Sequence, residues 1–409
     1  MANSCRAYYF QHPYRPLLEI DFMKKLLCSA LVLVISFGTS ASSSHASSTL
    51  SASQISSYFQ RTSLSATLAD PAIIVIDRAT GEVIFEKDST SSRKPASVMK
   101  VLAATATLEF IDPELRYETR LYSGQESASL VLVGSYDPWL TNTYKEAVAN
   151  KRAWIGNLIK KAIPVLKNSQ GIPFKSVSIG YSGLFTKDRP LIETAFKNAG
   201  FKATFTPLSK SEVITNSKEE IATVYSPTVR EMVKFAILWS DNNLANRLVL
   251  NASSVAGYGM SNLGVSMTIN DAVARLEVDP TGLEIFDGSG LSKENRVTAK
   301  LVAELLQKIR DDPKFLPIYE GLPVSGVSGT LEKRYLTTAP QAVGLVHAKT
   351  GTLDGTVSLA GYVDSGDRQY IVVAIADHIH VGSVPTNAAR ATIDKLFGKL
   401  AAPLISPAA

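Results

Sequence analysis

In the stretch PASVMKVLAA, Ser97 and Lys100 stand three residues apart where an apolar run begins. A serine hydroxyl is a poor nucleophile and needs a positioned base. On a helix, positions i and i+3 share a face, so the Lys100 amine can reach back to Ser97 Oγ. To act as a base near neutral pH the amine must lose its proton. Burial and a second nearby cation both lower its pKa. A serine at a helix N-terminus also has free backbone N–H groups and the helix dipole beside it. Taken alone, the pair is equally open to a plain reading, with Ser97 as a helix cap and Lys100 as a solvated lysine. Ser91 and Lys94 have the same spacing, but they sit in a polar loop that Pro95 closes. Position favours Ser97 and Lys100.

Two further patterns follow in order. Ser240-x-Asn242 falls at a break between two helical stretches, and Lys349-Thr350-Gly351 falls on a predicted strand. Gly351 would let a substrate or a neighbouring backbone approach closely. Lys349 is a candidate for the second cation. A backbone N–H after Gly351, with one at Ser97, would form an oxyanion hole. Each pattern alone has a bland alternative, a helix end or an ordinary edge strand. In this order and on these elements they point together to acyl transfer through a serine.

Other chemistries have less support. Beyond residue 46 the histidines are His347, His378 and His380. Strand alternation puts His347 on the face of Lys349, where packing is its simpler role. His378 and His380 alternate at a strand end, with no third metal ligand in sight. No Gly-rich phosphate loop follows a strand.

The elements that must position these residues are legible in outline. AIIVID (72–77), a turn at RATG and EVIFEKD (82–88) read as a hairpin. A helix is predicted from Pro95 to about Phe110, ended by Asp112-Pro113. Residues 129–134 and 175–182 read as strands, with one helical period over 144–163 between them. Ser226 is the predicted N-cap, and Pro227 the first residue, of a helix to Ser240. DGSGLS (287–292) is a turn. Strands at 346–353, 358–364 and 369–378 form a meander, and a helix over about 386–400 closes the chain. Residues 39–53 read as a Ser/Ala-rich linker.

The chain has 409 residues, with 42 basic and 37 acidic side chains and 45% hydrophobic residues. That suits an ordinary globular core, and the mild charge with no basic run argues against nucleic-acid binding. Met23-Lys24-Lys25, an apolar stretch to Phe37 and TSASSSHA describe a secretory signal, with cleavage after Ala46 or Ala41. Met23 is the expected true start, and an uncleaved membrane anchor is the alternative. Both cysteines, Cys5 and Cys28, fall in this leader, so the mature chain would have no disulfide or thiol chemistry. Cys28 lies too near Met23 for a lipoprotein signal.

PASVMK, SDNNLANRL, DGSGLSKENRVTA and HAKTGTLDG carry a resemblance, with weaker support from SGVSGTLEKR and LAGYV. The sequence resembles the penicilloyl-serine transferase superfamily. Within it, the chain is most similar to D-alanyl-D-alanine carboxypeptidase/endopeptidases of the penicillin-binding protein 4 type. The resemblance implies an α/β (α+β), β-lactamase/transpeptidase-like fold: an antiparallel sheet flanked by helices, plus a helical lobe. Residues 47–125 and 221–409 would form one discontinuous catalytic domain, 126–220 a small inserted α/β domain, and 1–46 the leader.

The resemblance also implies roles. Ser97 is acylated by the D-Ala-D-Ala carbonyl, Lys100 takes its proton, and Ser240, helped by Lys349, relays a proton to the leaving D-alanine. Asn242 bonds the acyl side, and Lys349, Thr350 and Thr352 hold the terminal carboxylate beside Gly351. The N–H groups of Ser97 and Thr352 make the oxyanion hole. The implied partners are peptidoglycan stem peptides, with β-lactam antibiotics as inhibitors and no stable membrane anchor after signal cleavage. No metal or organic cofactor is implied, and the implied location is the periplasm or cell wall.

Two departures from the family pattern stand out. The Ser97–Ser240 gap is short, and the aromatic stretch before the Ser-x-Asn motif is missing, leaving Tyr136 and Trp139 as candidate substitutes. Two other functions remain open. One is a β-lactamase, disfavoured because no Glu-x-x-x-Asn follows Asn243. The other is a non-catalytic cell-wall sensor.

Overall fold

The computed structural model describes residues 49–403. The leader reading and both cysteines lie outside them. Two five-stranded sheets organise the chain. The first takes β1 (Ala72–Asp77) and β2 (Val83–Lys87) from its beginning. The second takes β3 (Arg116–Gly124), β4 (Ser129–Gly134), β5 (Ser176–Ser182), β6 (Lys202–Pro207) and β7 (Ser217–Thr228). β8 (Val346–Leu353), β9 (Thr356–Ser365) and β10 (Arg368–Ala376) return to the first.

The first sheet is antiparallel throughout, in the order β2-β1-β10-β9-β8. Its two faces follow directly from strand alternation. Ile73 and Val75 of β1 and Tyr370, Val372 and Ala374 of β10 face one way, onto helices Ala52–Ser63 and Ser383–Leu400. Ile74 and Ile76, with Ile371, Val373 and Ile375, face the other way, onto the helical lobe. That lobe is built around helix Met99–Phe110, which is apolar on nearly every side and therefore buried on nearly every side. The sheet-and-lobe fold expected from the resemblance is the one observed. The second sheet has its own core. β4, β5 and β6 run parallel, connected through helices, while β3 and β7 pair antiparallel. Among the described residues no helix is long and apolar enough to cross a membrane.

Three local expectations fail. The helix before Ser240 runs Val229–Trp239 and is capped by Thr228, not Ser226. Thr228 and Glu231 form a reciprocal capping box, which satisfies two end groups where a lone serine would satisfy one. Ser226 is instead buried in β7, its Oγ accepting from Tyr117 N–H at 2.8 Å. The helical period over 144–163 splits into Tyr144–Asn150 and Ile155–Ala162, because Lys151 turns left-handed (φ +54°) and Thr141 bridges to Trp154. The predicted linker already ends at Ser51, whose capping box with Gln54 opens helix Ala52–Ser63.

Replacing Thr228 by Ala should remove that cap. A loss of about 1 kcal/mol is expected in urea unfolding of the chain. An unchanged midpoint would show that β7 alone holds the helix start.

Candidate active site

Ser97 lies in a 3-10 turn, Ala96–Val98, that leads directly into helix Met99–Phe110. The turn is held in an unusual shape. Ala96 takes φ +48°, a left-handed conformation that costs an L-residue about 1–2 kcal/mol. Close contacts on two sides impose it. Gly290 lies so near Ala96 O that a Cβ there would collide with it. A Cβ on Gly351 would run into Pro95 O, Ala96 Cβ and Ser358 Oγ. Ser358 Oγ donates to Pro95 O at 2.7 Å, fixing the turn to β9. Gly351 thus permits the close backbone approach its position in the sequence suggested, and the backbone is that of the serine turn.

One helical turn on, Lys100 is fully buried, so the solvated-lysine reading does not hold. Its Nζ lies 2.9 Å from Ser97 Oγ, 2.6 Å from Asn242 Oδ1 and 2.5 Å from the carbonyl of Ser289. As an ammonium it donates to all three. As a neutral amine it has two N–H groups, enough for Asn242 and Ser289, and a lone pair left to accept from Ser97 O–H. Burial pushes Lys100 down to about 8, opposed by the charges of Asp287 and Asp241. Lys349 was expected to be the cation that lowers Lys100. The stronger perturbation falls on Lys349 itself, held well below the usual lysine range by burial and then by Lys100's charge. Lys349 is fully buried, and its Nζ donates to Thr350 O at 3.0 Å.

The break after Trp239 places the next two residues. Ser240 takes a left-handed conformation (φ +59°, ψ +39°) as the helix ends. Asp241 then caps helix Asn242–Val255, its Oδ1 accepting from Leu244 N–H at 2.9 Å. Asn242, the first residue of that helix, can thus meet Lys100. The Ser289 carbonyl is aimed by Asp287, whose carboxylate accepts from the N–H groups of Ser289, Gly290 and Ser292 at 2.6–2.7 Å. The DGSG turn is therefore a fourth wall of the site, one whose role its sequence does not announce.

A cavity of about 520 Å³ opens in front of Ser97 and Ser240. Thr350 and Thr352 of β8 line it, with Thr330, Lys333, Arg334, Asn387 and Arg390. Thr330 Oγ1 lies 2.8 Å from Thr350 Oγ1. Neither Lys349 nor the two candidate aromatics line it. Trp139 is core, packed on Phe235 with ring centroids 4.4 Å apart, and Tyr136 packs edge-on against Phe185. His347 stacks on Tyr319 and pairs with Asp364 at 3.4 Å, a packing position. His378 sits beside Arg93, its Nδ1 3.2 Å from Nη1.

The family model described as "D-Ala-D-Ala carboxypeptidase 3 (S13) family" matches residues 52–162 and 188–399. The chain belongs to this family. It is a serine-type D-Ala-D-Ala carboxypeptidase. It is 27% identical to a carboxypeptidase DacB of Mycolicibacterium smegmatis, with 83% of each chain covered. A carboxypeptidase of Mycobacterium tuberculosis is 25% identical over 79% of each chain. Among solved structures the fold is similar to penicillin binding protein 4 (dacB) of Haemophilus influenzae. There the TM-score is 0.63 at 16% identity, covering 80% of this chain and 94% of that one.

Because Lys100 has an ordinary pKa of 10.5 when exposed and about 8 when folded, the unfolded chain binds more protons between those values. Stability should therefore rise with pH across that window, as Lys100 is buried neutral rather than charged. Comparing the enzyme with Lys100→Met between pH 7.5 and 10, the wild type should gain up to about 3 kcal/mol relative to the variant. Parallel pH profiles would mean that Lys100 is not desolvated.

Proposed function

We propose that this S13 peptidase works through an acyl-enzyme on Ser97. Lys100, as the neutral amine, takes the Ser97 proton while Oγ attacks the carbonyl of the penultimate D-alanine. The backbone N–H groups of Ser97 and Thr352 receive the developing oxyanion. The C–N bond breaks, and Ser240, assisted by Lys349, passes a proton to the departing D-alanine amine. Asn242 bonds the acyl side of the substrate, and Lys349, Thr350 and Thr352 act on the terminal carboxylate. Water then cleaves the ester to release the shortened peptide and restore the Ser97 hydroxyl. The observation that carries this reading is the buried Lys100 amine, in contact with Ser97 Oγ while its other two acceptors are Asn242 Oδ1 and the Ser289 carbonyl.

The natural substrates in this reading are stem peptides ending in D-Ala-D-Ala. β-Lactams, whose strained amide presents a comparable carbonyl, acylate the same serine. Residues 126–220, an insert whose sheet is completed by β3 (Arg116–Gly124) and β7 (Ser217–Thr228) at its flanks, act as an accessory domain on a catalytic domain formed by 47–125 and 221–409. The enzyme acts after export, in the periplasm or at the cell wall, consistent with the leader at 1–46.

Incubation with benzylpenicillin, followed by intact mass, tests the assignment. A lasting adduct is expected on the wild type and none on Ser97→Ala. Drug hydrolysis without an adduct would favour a β-lactamase. Neither adduct nor hydrolysis would favour a binding or sensor role.

The pH dependence gives a second check. Below about 8 the neutral fraction of Lys100 grows about tenfold per pH unit, and the acylation rate should follow it before levelling off. A rate flat from pH 6 to 9 would remove Lys100 as the base.

A further inference from the structure

Lys333, Arg334 and Arg390 make part of the cavity wall basic, and one face of helix Ser383–Leu400 contributes to it. Asn387, Arg390, Ala391 and Asp394 fall at i, i+3, i+4 and i+7 and all line the cavity. Two arginines meet there, and their situations differ. Arg334 is already paired: its Nη2 lies 2.5 Å from Asp394 Oδ1 and its Nε donates to Oδ2 at 3.3 Å. Thr338 also donates to Asp394, which is 3% exposed. Arg390 has no such partner. Its hydrogen bonds go to two neutral oxygens, Thr352 Oγ1 at 3.0 Å and Asn387 Oδ1 at 3.2 Å. Among the described residues no carboxylate forms an ion pair with it. Burial holds its pKa below the usual arginine range, the neighbouring Arg334 adds to this, and Asp394 opposes it.

A partly desolvated guanidinium whose partners are all neutral is an unfilled position for a planar anion. Its place decides which anion. Arg390 touches Thr352, on the strand edge where the terminal carboxylate docks in the proposed mechanism. The cation given that task by resemblance, Lys349, is fully buried beneath this surface and bonded to Thr350 O. Thr352 O–H donates to Gly351 O at 2.8 Å and so meets Arg390 as an acceptor. An arriving carboxylate can replace that acceptor and take the guanidinium directly. Lys333 lines the same cavity and adds positive charge to it.

We infer that Arg390 is a substrate-anchoring residue, whose guanidinium binds the carboxylate of the residue on the leaving side of the scissile bond, beside Thr350 and Thr352. The inference deepens the acyl-enzyme reading and rests on Ser97 being the nucleophile.

Two substrates with one acyl part test it, one ending in D-Ala-D-Ala and the other in D-Ala-D-alaninamide. The wild type should prefer the free carboxylate in kcat/KM. In Arg390→Gln the ratio of the two values should fall by about tenfold or more, chiefly through KM for the free acid. Arg390→Lys, which keeps the charge but not the fork, should recover part of it. A ratio unchanged in Arg390→Gln, whether or not both rates drop, would overturn the inference and leave Arg390 a structural residue. A neutral activated ester of the same acyl group separates the two assignments. If it acylates Ser97 while the ratio stays unchanged, only the Arg390 inference is lost. If it leaves no adduct on wild-type Ser97, both fail.

Discussion

A lysine amine removed from water governs this site. Desolvation alone makes a buried ammonium costly, and it either finds hydrogen-bond acceptors or gives up its proton. Lys100 does some of each. Three oxygens surround its Nζ, yet burial lowers its pKa to about 8. A second buried lysine, Lys349, sharpens the condition. Two ammonium groups buried near each other repel, and Lys349 gives way further than Lys100. The free site is therefore poised to carry less positive charge than its two lysines would in water. An anionic substrate group would tip it back toward protonation.

Much of the surrounding architecture holds the acceptors still. The left-handed Ala96 would relax if Gly290, Gly351 and Ser358 did not press the turn into place. Asp287 spends its carboxylate on three backbone N–H groups, so the Ser289 carbonyl stays aimed at Lys100. The helix that starts at Asn242 is tied on its other side to the loops that connect strands of the second sheet. There Arg247 lies 2.7 Å from Asp188. Nearby Asp137 is buried, and burial pushes it up to about 7, helped by the charge of Asp188 and opposed by the Trp139 N–H. The second sheet is thereby connected to the element that presents Asn242. Strand alternation does the rest, turning one face of the first sheet to the terminal helices and the other to the catalytic lobe.

Cavity shape separates residues that the motifs merge. Lys349, Thr350 and Thr352 are close neighbours in the chain, yet only the threonines line the cavity. The residues that complete its charge, Arg334 and Arg390, come from a loop and from the last helix. Their sequence context is that of any surface helix or turn.

Short-range rules made the core of the site legible without a structure. Positions i and i+3 at a helix start bring Ser97 and Lys100 together, and Gly351 signals a close approach. Such relations depend on local geometry, which residue type and spacing determine by themselves. They misled where two local signals competed, as when the Thr228 capping box outranked Ser226. Long-range relations were out of reach. The Ser289 carbonyl lies 189 residues from Lys100 in the chain, and Arg390 lies 38 from Thr352. Which lysine is desolvated, and which arginine is left without a carboxylate, depends on what the whole chain packs around each group. Burial is a property of the assembled tertiary structure, and no stretch of sequence carries it alone.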